Sequence, residues 1–220
     1  GYLSHQIGKW HLGLSRQAYT PAGRGFNSSL GFLMGSEDHY AHTNGLAYNG
    51  THVPGVDLWE TDRPAKGYDG IYSAYIYAGR AVELIESHPP DKGLFLYVAF
   101  ADTHEPEQAP DAYVDHYAAT DPDGSAAPPC RRLYNGMASA VDESVKNITT
   151  ALHSSGLWNS TLVVWSSDNG GPSFVGGPSC ANNYPLRGGK GNDFSGGTRV
   201  AAWVNGGSLS LSLSLSLSLS

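Results

Sequence analysis

The sequence predicts an α/β fold, in which a mostly parallel sheet is flanked by helices. Three observations carry this. Leu94–Phe100 (LFLYVAF) and Leu162–Trp165 are uninterrupted apolar runs of strand length, the pattern of strands buried on both faces of a parallel sheet. Between them Met137, Val141, Val145, Ile148 and Leu152 recur at spacings of three and four, the period of one helical face. Strand, helix and strand in that order make a right-handed βαβ unit.

The remaining elements follow along the chain. Residues 1–65 are rich in Gly, His and Asn without sustained periodicity, and read as short strands joined by long loops. From Ile71 to Ser87, the apolar residues Ile71, Tyr75, Ala78, Val82 and Ile85 mark a first helix, which His88-Pro89-Pro90 ends. Residues 105–130 are rich in Pro and Asp and read as a long loop. The second helix ends near Gly156, and Thr198–Val204 reads as a third strand. Residues 208–220 repeat Ser-Leu. That alternation has no turn and no side-chain diversity to set a register, so it reads as a low-complexity tail behind a domain spanning 1–207.

Composition narrows the class. The chain has 220 residues, enough for one sizeable core. The formal charge is −7 and the 13 Lys and Arg are scattered, which argues against a nucleic-acid partner. Charged residues make up 15% beside 28 Gly and 13 Tyr, a loop-rich globular composition, not a disordered one. No apolar stretch is long enough for a membrane span, and no signal peptide is present. The two cysteines, Cys130 and Cys180, fit either one disulfide or two free thiols. Four N-x-S/T sequons, at Asn27, Asn49, Asn147 and Asn159, favour a glycoprotein of the secretory route, lysosomal or secreted.

Ligands of open α/β sheets bind beyond the carboxyl ends of strands. Two polar clusters stand there, Asp102-Thr103-His104-Glu105 and Asp168-Asn169-Gly170-Gly171. His104, just past a buried strand, is placed as a general acid; the plainer reading is an imidazole bonded to nearby backbone. Asp168 and Asn169 offer hard oxygen ligands for Ca²⁺ or Mg²⁺; the plainer reading is a turn, which Asn and Gly favour. In GKWHLG, Lys9 and His11 are two apart, so an extended segment would point both to one side. A fixed cation beside an imidazole suits an oxyanion, although a bare K-x-H is usually an ordinary loop. Lys190 lies among glycines with Arg187 and Arg199 nearby, again an anion-binding composition or simply a solvated loop.

Together these segments resemble one family. GYLSHQIGKWHLG resembles the second sulfatase signature, and RGFNSSLGFLMGSEDHY the stretch that follows it in arylsulfatase B-like (N-acetylgalactosamine-4-sulfatase-like) enzymes. VAFADTHEPEQAPDAY, DESVKNITTALHSSGLWNSTLVVWSSDNGGP and NYPLRGGKGNDFSGGTR resemble later blocks of the same family, in the same order. The resemblance covers about residues 1 to 206 and implies an alkaline-phosphatase-like α/β sandwich. It implies hydrolysis of sulfate esters, those of a sulfated glycan or an aryl sulfate, with Ca²⁺ as cofactor. The nucleophile of the family is a formylglycine, made from the Cys of a C-x-P-S-R motif by the formylglycine-generating enzyme. By position, Lys9 and His11 match the pair that contacts formylglycine and assists sulfate elimination. His104 matches the His that protonates the leaving oxygen, Lys190 the Lys that grips sulfate, and Asp168 and Asn169 two calcium ligands. All are expected to converge at one end of the sheet.

The chain departs from the family pattern in the C-x-P-S-R motif, in the paired acidic calcium ligands, and in the usual C-terminal subdomain, where the Ser-Leu repeat stands. It contains no C-x-P-S-R; its cysteines stand in PPCRR and PSCAN. The resemblance places the formylglycine segment and the paired acidic calcium ligands before Gly1. The expectation is therefore a partial catalytic domain whose longer parent is active and which is itself inactive. Two alternatives remain: a phosphatase or phosphodiesterase relative of the same superfamily, or a degenerate, non-catalytic sulfatase-like protein.

Overall fold

The computed structural model describes residues 1–48, 51–118, 130–172 and 180–207. The sequon at Asn49 and the Ser-Leu repeat lie outside them. The chain divides into two compact units, Gly1–Ala151 and Leu152–Ser220.

The first unit is built on a five-stranded sheet. Its strands are β1 (Tyr2–Gly8), β2 (Ser28–Gly31), β5 (Trp59–Glu60), β6 (Arg63–Pro64) and β7 (Gly93–Ala99), in the order β6-β5-β2-β1-β7. β2, β1 and β7 run parallel; β5 and β6 add a short antiparallel edge. A separate hairpin joins β3 (Thr43–Tyr48) to β4 (Thr51–Val56). The helices are α1 (Ser73–Glu86), α2 (Asp111–Ala118) and α3 (Cys130–Ser154).

The middle one of the three parallel strands is the least obvious in the sequence. β1 carries His5 and Gln6 into the interior beside Ile7, where an unpaired polar group would be costly. Both find partners: His5 Nδ1 meets Ser28 Oγ at 2.7 Å, and Gln6 Nε2 donates to the carbonyls of Gly8 (3.0 Å) and Lys9 (3.3 Å). Burial, aided by the field of His88, lowers the His5 pKa.

The core joins sheet to helix. Ile7, Leu30, Phe32 and Leu58 from the sheet region pack with Ile76, Tyr77 and Ala81 of α1, and Leu96 and Val98 of β7 lie against them. Fully burying one such aliphatic chain contributes about 1.5–3 kcal/mol.

Four expectations are corrected. β7 is buried on one face only, since Phe95 and Tyr97 are half-exposed while Leu96 and Val98 turn to the core; Phe95 instead stacks on Phe26, 6.2 Å between centroids. The buried face of α1 is Ala74, Tyr77, Ala78, Ala81 and Ile85, while Ile71 and Tyr75 are exposed; small alanines let the helix sit close to the sheet, and large residues at its margin mislead the periodicity. The stretch 105–130 contains the helix α2, which opens on Asp111 after Pro110, a favourable anion at a helix start. Finally, the partner of β7 is β1, in parallel, while β8 (Val163–Ser166) pairs antiparallel with β9 (Ala202–Asn205) in a sheet of their own. The expected βαβ pairing of 94–100 with 162–165 is thus replaced. The long α3 agrees with its pattern: Met137, Val141 and Leu152 are buried, and Gly156 follows it with φ +72°.

Among the described residues no helix is long and apolar enough to cross a membrane. Cys130 and Cys180 are both disulfide-bonded, the state of an oxidising compartment.

Candidate active site

The structure gathers the candidate residues into two groups, one in each unit. In the first unit, three parallel strands end side by side, and each carboxyl end launches a polar loop. β1 leads into Lys9-Trp10-His11, β7 into Ala101–Pro106, and β2 into Gly35–His39.

The segment after β1 is shaped by one glycine. Gly8 has φ +84°, and a Cβ there would lie 2.0 Å from the Ala99 carbonyl oxygen, so no other residue fits. Lys9 then donates its N–H to Ala99 O (2.8 Å), while Trp10 and His11 donate theirs to Phe32 O (3.0 Å) and Leu33 O (3.2 Å). The segment is thereby stitched to both neighbouring strands. Trp10 points inward and donates Nε1–H to Tyr19 O at 2.7 Å. His11 is exposed and holds φ +51°, a conformation uncommon outside glycine and costly for most residues. The two-residue parity of an extended strand therefore does not set its direction. Its imidazole lies over Gly35, where a Cβ would come 2.7 Å from His11 Cε1.

After β7, His104 is half-buried. Its N–H donates to Ala101 O (2.9 Å), and its ring Nδ1 meets Glu105 O at 2.8 Å. That backbone contact makes Nδ1 the protonated nitrogen of the neutral ring and assigns acid–base exchange to Nε2.

Behind these loops lies a buried polar cluster that the sequence pattern does not single out. Glu37, His39, His42, Tyr72 and Tyr77 are each at most 2% exposed. Tyr77 donates to Glu37 Oε1 (2.6 Å), and His42 Nδ1 stands 3.6 Å from Glu37 Oε2, close for charges but long for a hydrogen bond. Burial opposes the charge on His42, but the Glu37 carboxylate and the Tyr68 carbonyl outweigh it, and its pKa is raised. A raised pKa stabilises the fold fully below the ordinary value of 6.5 and loses that contribution as pH climbs through the folded value. His5, lowered, acts in the opposite window, below 6.5. The thermal midpoint should therefore fall as pH rises above about 6.5, and His42→Ala should reduce that slope; Asp102, whose pKa is also raised, acts in the same direction. A slope that His42→Ala left unchanged would show that His42 does not contribute to it.

In the second unit, the turn Asp168–Gly171 follows β8, and the Lys190 loop is tied to it. Asn183 makes the tie: its Oδ1 accepts the Gly171 N–H (2.9 Å), and its Nδ2 donates to the carbonyls of Gly171 (2.8 Å) and Gly188 (3.1 Å). Lys190 N–H donates to Gly171 O at 3.0 Å, and Gly170 N–H to Gly197 O at 3.0 Å. Asp168 is exposed and Asn169 half-buried; the Asn169 Nδ2 donates to Gly170 O at 3.0 Å, which directs its amide nitrogen to backbone and assigns Oδ1 to any cation. Asp168 and Asn169 are thus hard oxygen donors, the kind Ca²⁺ takes. Among the described residues, no three His, Cys, Asp or Glu side chains gather around a common point, so this pair fits the ion in kind and supplies only part of a shell. The Arg187 guanidinium stacks on Phe194 at 3.9 Å, which makes it a packed cation. Asn183 stands at the head of a segment whose composition suits anion binding, and an Asn before a Gly-rich loop was the available signal for its role.

The sulfatase family model matches residues 1–206. The chain belongs to the sulfatase family. It is 42% identical over 206 residues to arylsulfatase J of Mus musculus, covering 93% of this chain and 32% of that protein. It is 27% identical to arylsulfatase A of Homo sapiens, covering 92% and 39%. Among solved structures, Ps i-CgsB in complex with k-i-k-neocarrahexaose aligns with a TM-score of 0.74 and 26% identity, over 92% of this chain and 44% of that one. The PsFucS1 sulfatase from Pseudoalteromonas sp. shares the fold, with a TM-score of 0.64 at 19% identity, over 93% and 42%. The chain therefore spans about a third to under half the length of these sulfatase-family relatives.

Proposed function

We propose that this chain carries part of the active site of an arylsulfatase B-like enzyme that hydrolyses sulfate esters of a glycan, with aryl sulfates as generic substrates. The observation that carries this is the placing of Lys9, His11 and His104 at the carboxyl ends of two adjacent parallel strands, where α/β sheets bind ligands. The sulfated-glycan reading draws on the oligosaccharide bound to Ps i-CgsB.

A sulfate ester carries charge on its non-bridging oxygens and gains more on the leaving oxygen as the S–O bond breaks. Lys9 supplies a fixed cation for the sulfate oxygens, and the family resemblance gives Lys190 the same role. His104 delivers a proton from Nε2 to the leaving oxygen, its ring oriented by the Glu105 carbonyl. His11 serves the later elimination of sulfate by accepting a proton. Formylglycine, when present, supplies the nucleophilic oxygen, and Ca²⁺ held in part by Asp168 and Asn169 offsets sulfate charge. The formylglycine-generating enzyme is then an obligatory partner. The bonded cysteines suit a lysosomal or secreted glycoprotein.

No C-x-P-S-R motif occurs in the 220 residues. The chain alone is expected not to turn over an aryl sulfate, whereas a form carrying a matured formylglycine segment should. Turnover by the chain alone would overturn the assignment of the nucleophile. A restored form that hydrolyses phosphate esters but not sulfate esters would favour the phosphatase relative.

A further inference from the structure

The loop bearing His104 is closed at both ends by one hydroxyl. Tyr72 Oη contacts Asp102 Oδ1 at one end of the loop and the Gln108 carbonyl oxygen, at 2.8 Å, at the other. Gln108 is fixed further: its Oε1 accepts the His39 N–H and its Nε2 donates to Asp38 Oδ2, both at 2.8 Å. His39 stacks on Tyr72, 5.5 Å between centroids, and its Nε2 faces the His104 carbonyl at 3.4 Å.

Three oxygens are linked here by two contacts, and the Tyr72 hydroxyl has one proton. If Tyr72 donates to a carboxylate, the 2.8 Å approach to Gln108 O becomes two lone pairs face to face. If it donates to Gln108, the second proton must come from the carboxyl, since a backbone carbonyl has none. We propose that Asp102 is held as a neutral carboxylic acid, whose proton completes an Asp102–Tyr72–Gln108 clamp that positions His104.

The surroundings agree. Among the described residues, Asp102 Oδ2 is buried without a hydrogen-bond partner, a state far cheaper for a neutral acid than for a carboxylate. Burial raises the Asp102 pKa and outweighs the field of His39 and the hydrogen bonds from Tyr72 and the backbone, all of which lower it; Glu37 raises it further. Burial together with Asp102 pushes the Tyr72 pKa far above its ordinary value, so the phenol keeps its proton.

The importance of the clamp for catalysis rests on the reading of His104 above; the proton itself does not. The test therefore needs no turnover. In the 220-residue chain at neutral pH, infrared difference spectra of wild type minus Asp102→Asn should show the carbonyl stretch of a protonated carboxyl. An Asn amide donates a hydrogen bond as the neutral acid does, so Asp102→Asn should leave the His104 ring resonances and titration in NMR unchanged. Tyr72→Phe opens the loop and should shift both. A carboxylate band in place of the acid band, or an Asp102→Asn variant that disturbs His104 as much as Tyr72→Phe, would overturn the proposal. The infrared result on the unmutated carboxyl stands even if Tyr72→Phe fails to fold. In a formylglycine-bearing form, an intact clamp whose loss left kcat unchanged would count against the role of His104, not against the proton.

Discussion

Replacing His104 with alanine in a formylglycine-bearing form should lower kcat on a glycan sulfate by roughly 10²- to 10⁴-fold, the range of a lost general acid. The same variant should lose far less on an aryl sulfate with a good leaving group. A sugar alkoxide is a strong base and must be protonated as it departs, whereas an acidic phenol leaves as the phenolate. The measurement is kcat for His104→Ala on both substrates, across a series of phenol leaving groups. Equal losses on good and poor leaving groups would show that His104 acts on the sulfate or on the fold and not on the leaving oxygen. The half-buried ring, with Nδ1 on the Glu105 carbonyl, suits proton delivery because one nitrogen orients the ring and the other exchanges the proton. The plainer reading of the sequence, an imidazole bonded to neighbouring backbone, is what the structure shows, and in the proposed mechanism that bond orients the ring.

The fold class was legible because the strongest apolar runs do become strands and the long period of three and four does become α3. The pairing of strands was not. β1 is the middle of the three parallel strands, yet His5 and Gln6 interrupt its apolar pattern, and their burial is made tolerable by Ser28, distant in sequence, and by two backbone carbonyls just along the chain. α2 hid in a stretch whose Pro and Asp suggest a loop, because Pro110 and Asp111 also suit a helix start. For the candidate site, the sequence singles out chemistry-bearing residues one by one, since Lys, His and Asp beyond strand ends have few structural reasons to be there. It does not single out the supporting residues. Tyr72 and Gln108 act through contacts 30 to 70 residues distant in sequence, and Asn183 holds Gly171 from 12 residues away; no local pattern announces such a pairing.

Calcium binding offers the second large effect. Asp168→Ala in a restored form should raise the calcium Kd at least about 10-fold, about 1.4 kcal/mol, because it removes a charged ligand from a shell of about six to eight oxygens. Asn183→Ala should weaken affinity by roughly 10- to 100-fold, the usual cost of losing a group that orients a ligand, although Asn183 is not itself a ligand in this reading. The physical reason is the tie it makes: Asn183 holds Gly171 from both sides and Gly188 from one, and Lys190 hangs on the same Gly171 carbonyl. Releasing it frees the Asp168–Gly171 turn and the Lys190 loop together. Asn183→Ala should therefore raise both the calcium Kd and the KM for sulfate esters, whereas Asp168→Ala should act first on calcium, its activity returning at high Ca²⁺. Calorimetric calcium titrations, paired with kinetics over a range of Ca²⁺ concentrations, separate the two. If Asn183→Ala left calcium affinity intact, the turn would owe its shape to β8 and its own glycines alone; if Asp168→Ala did so, the ion would be held elsewhere.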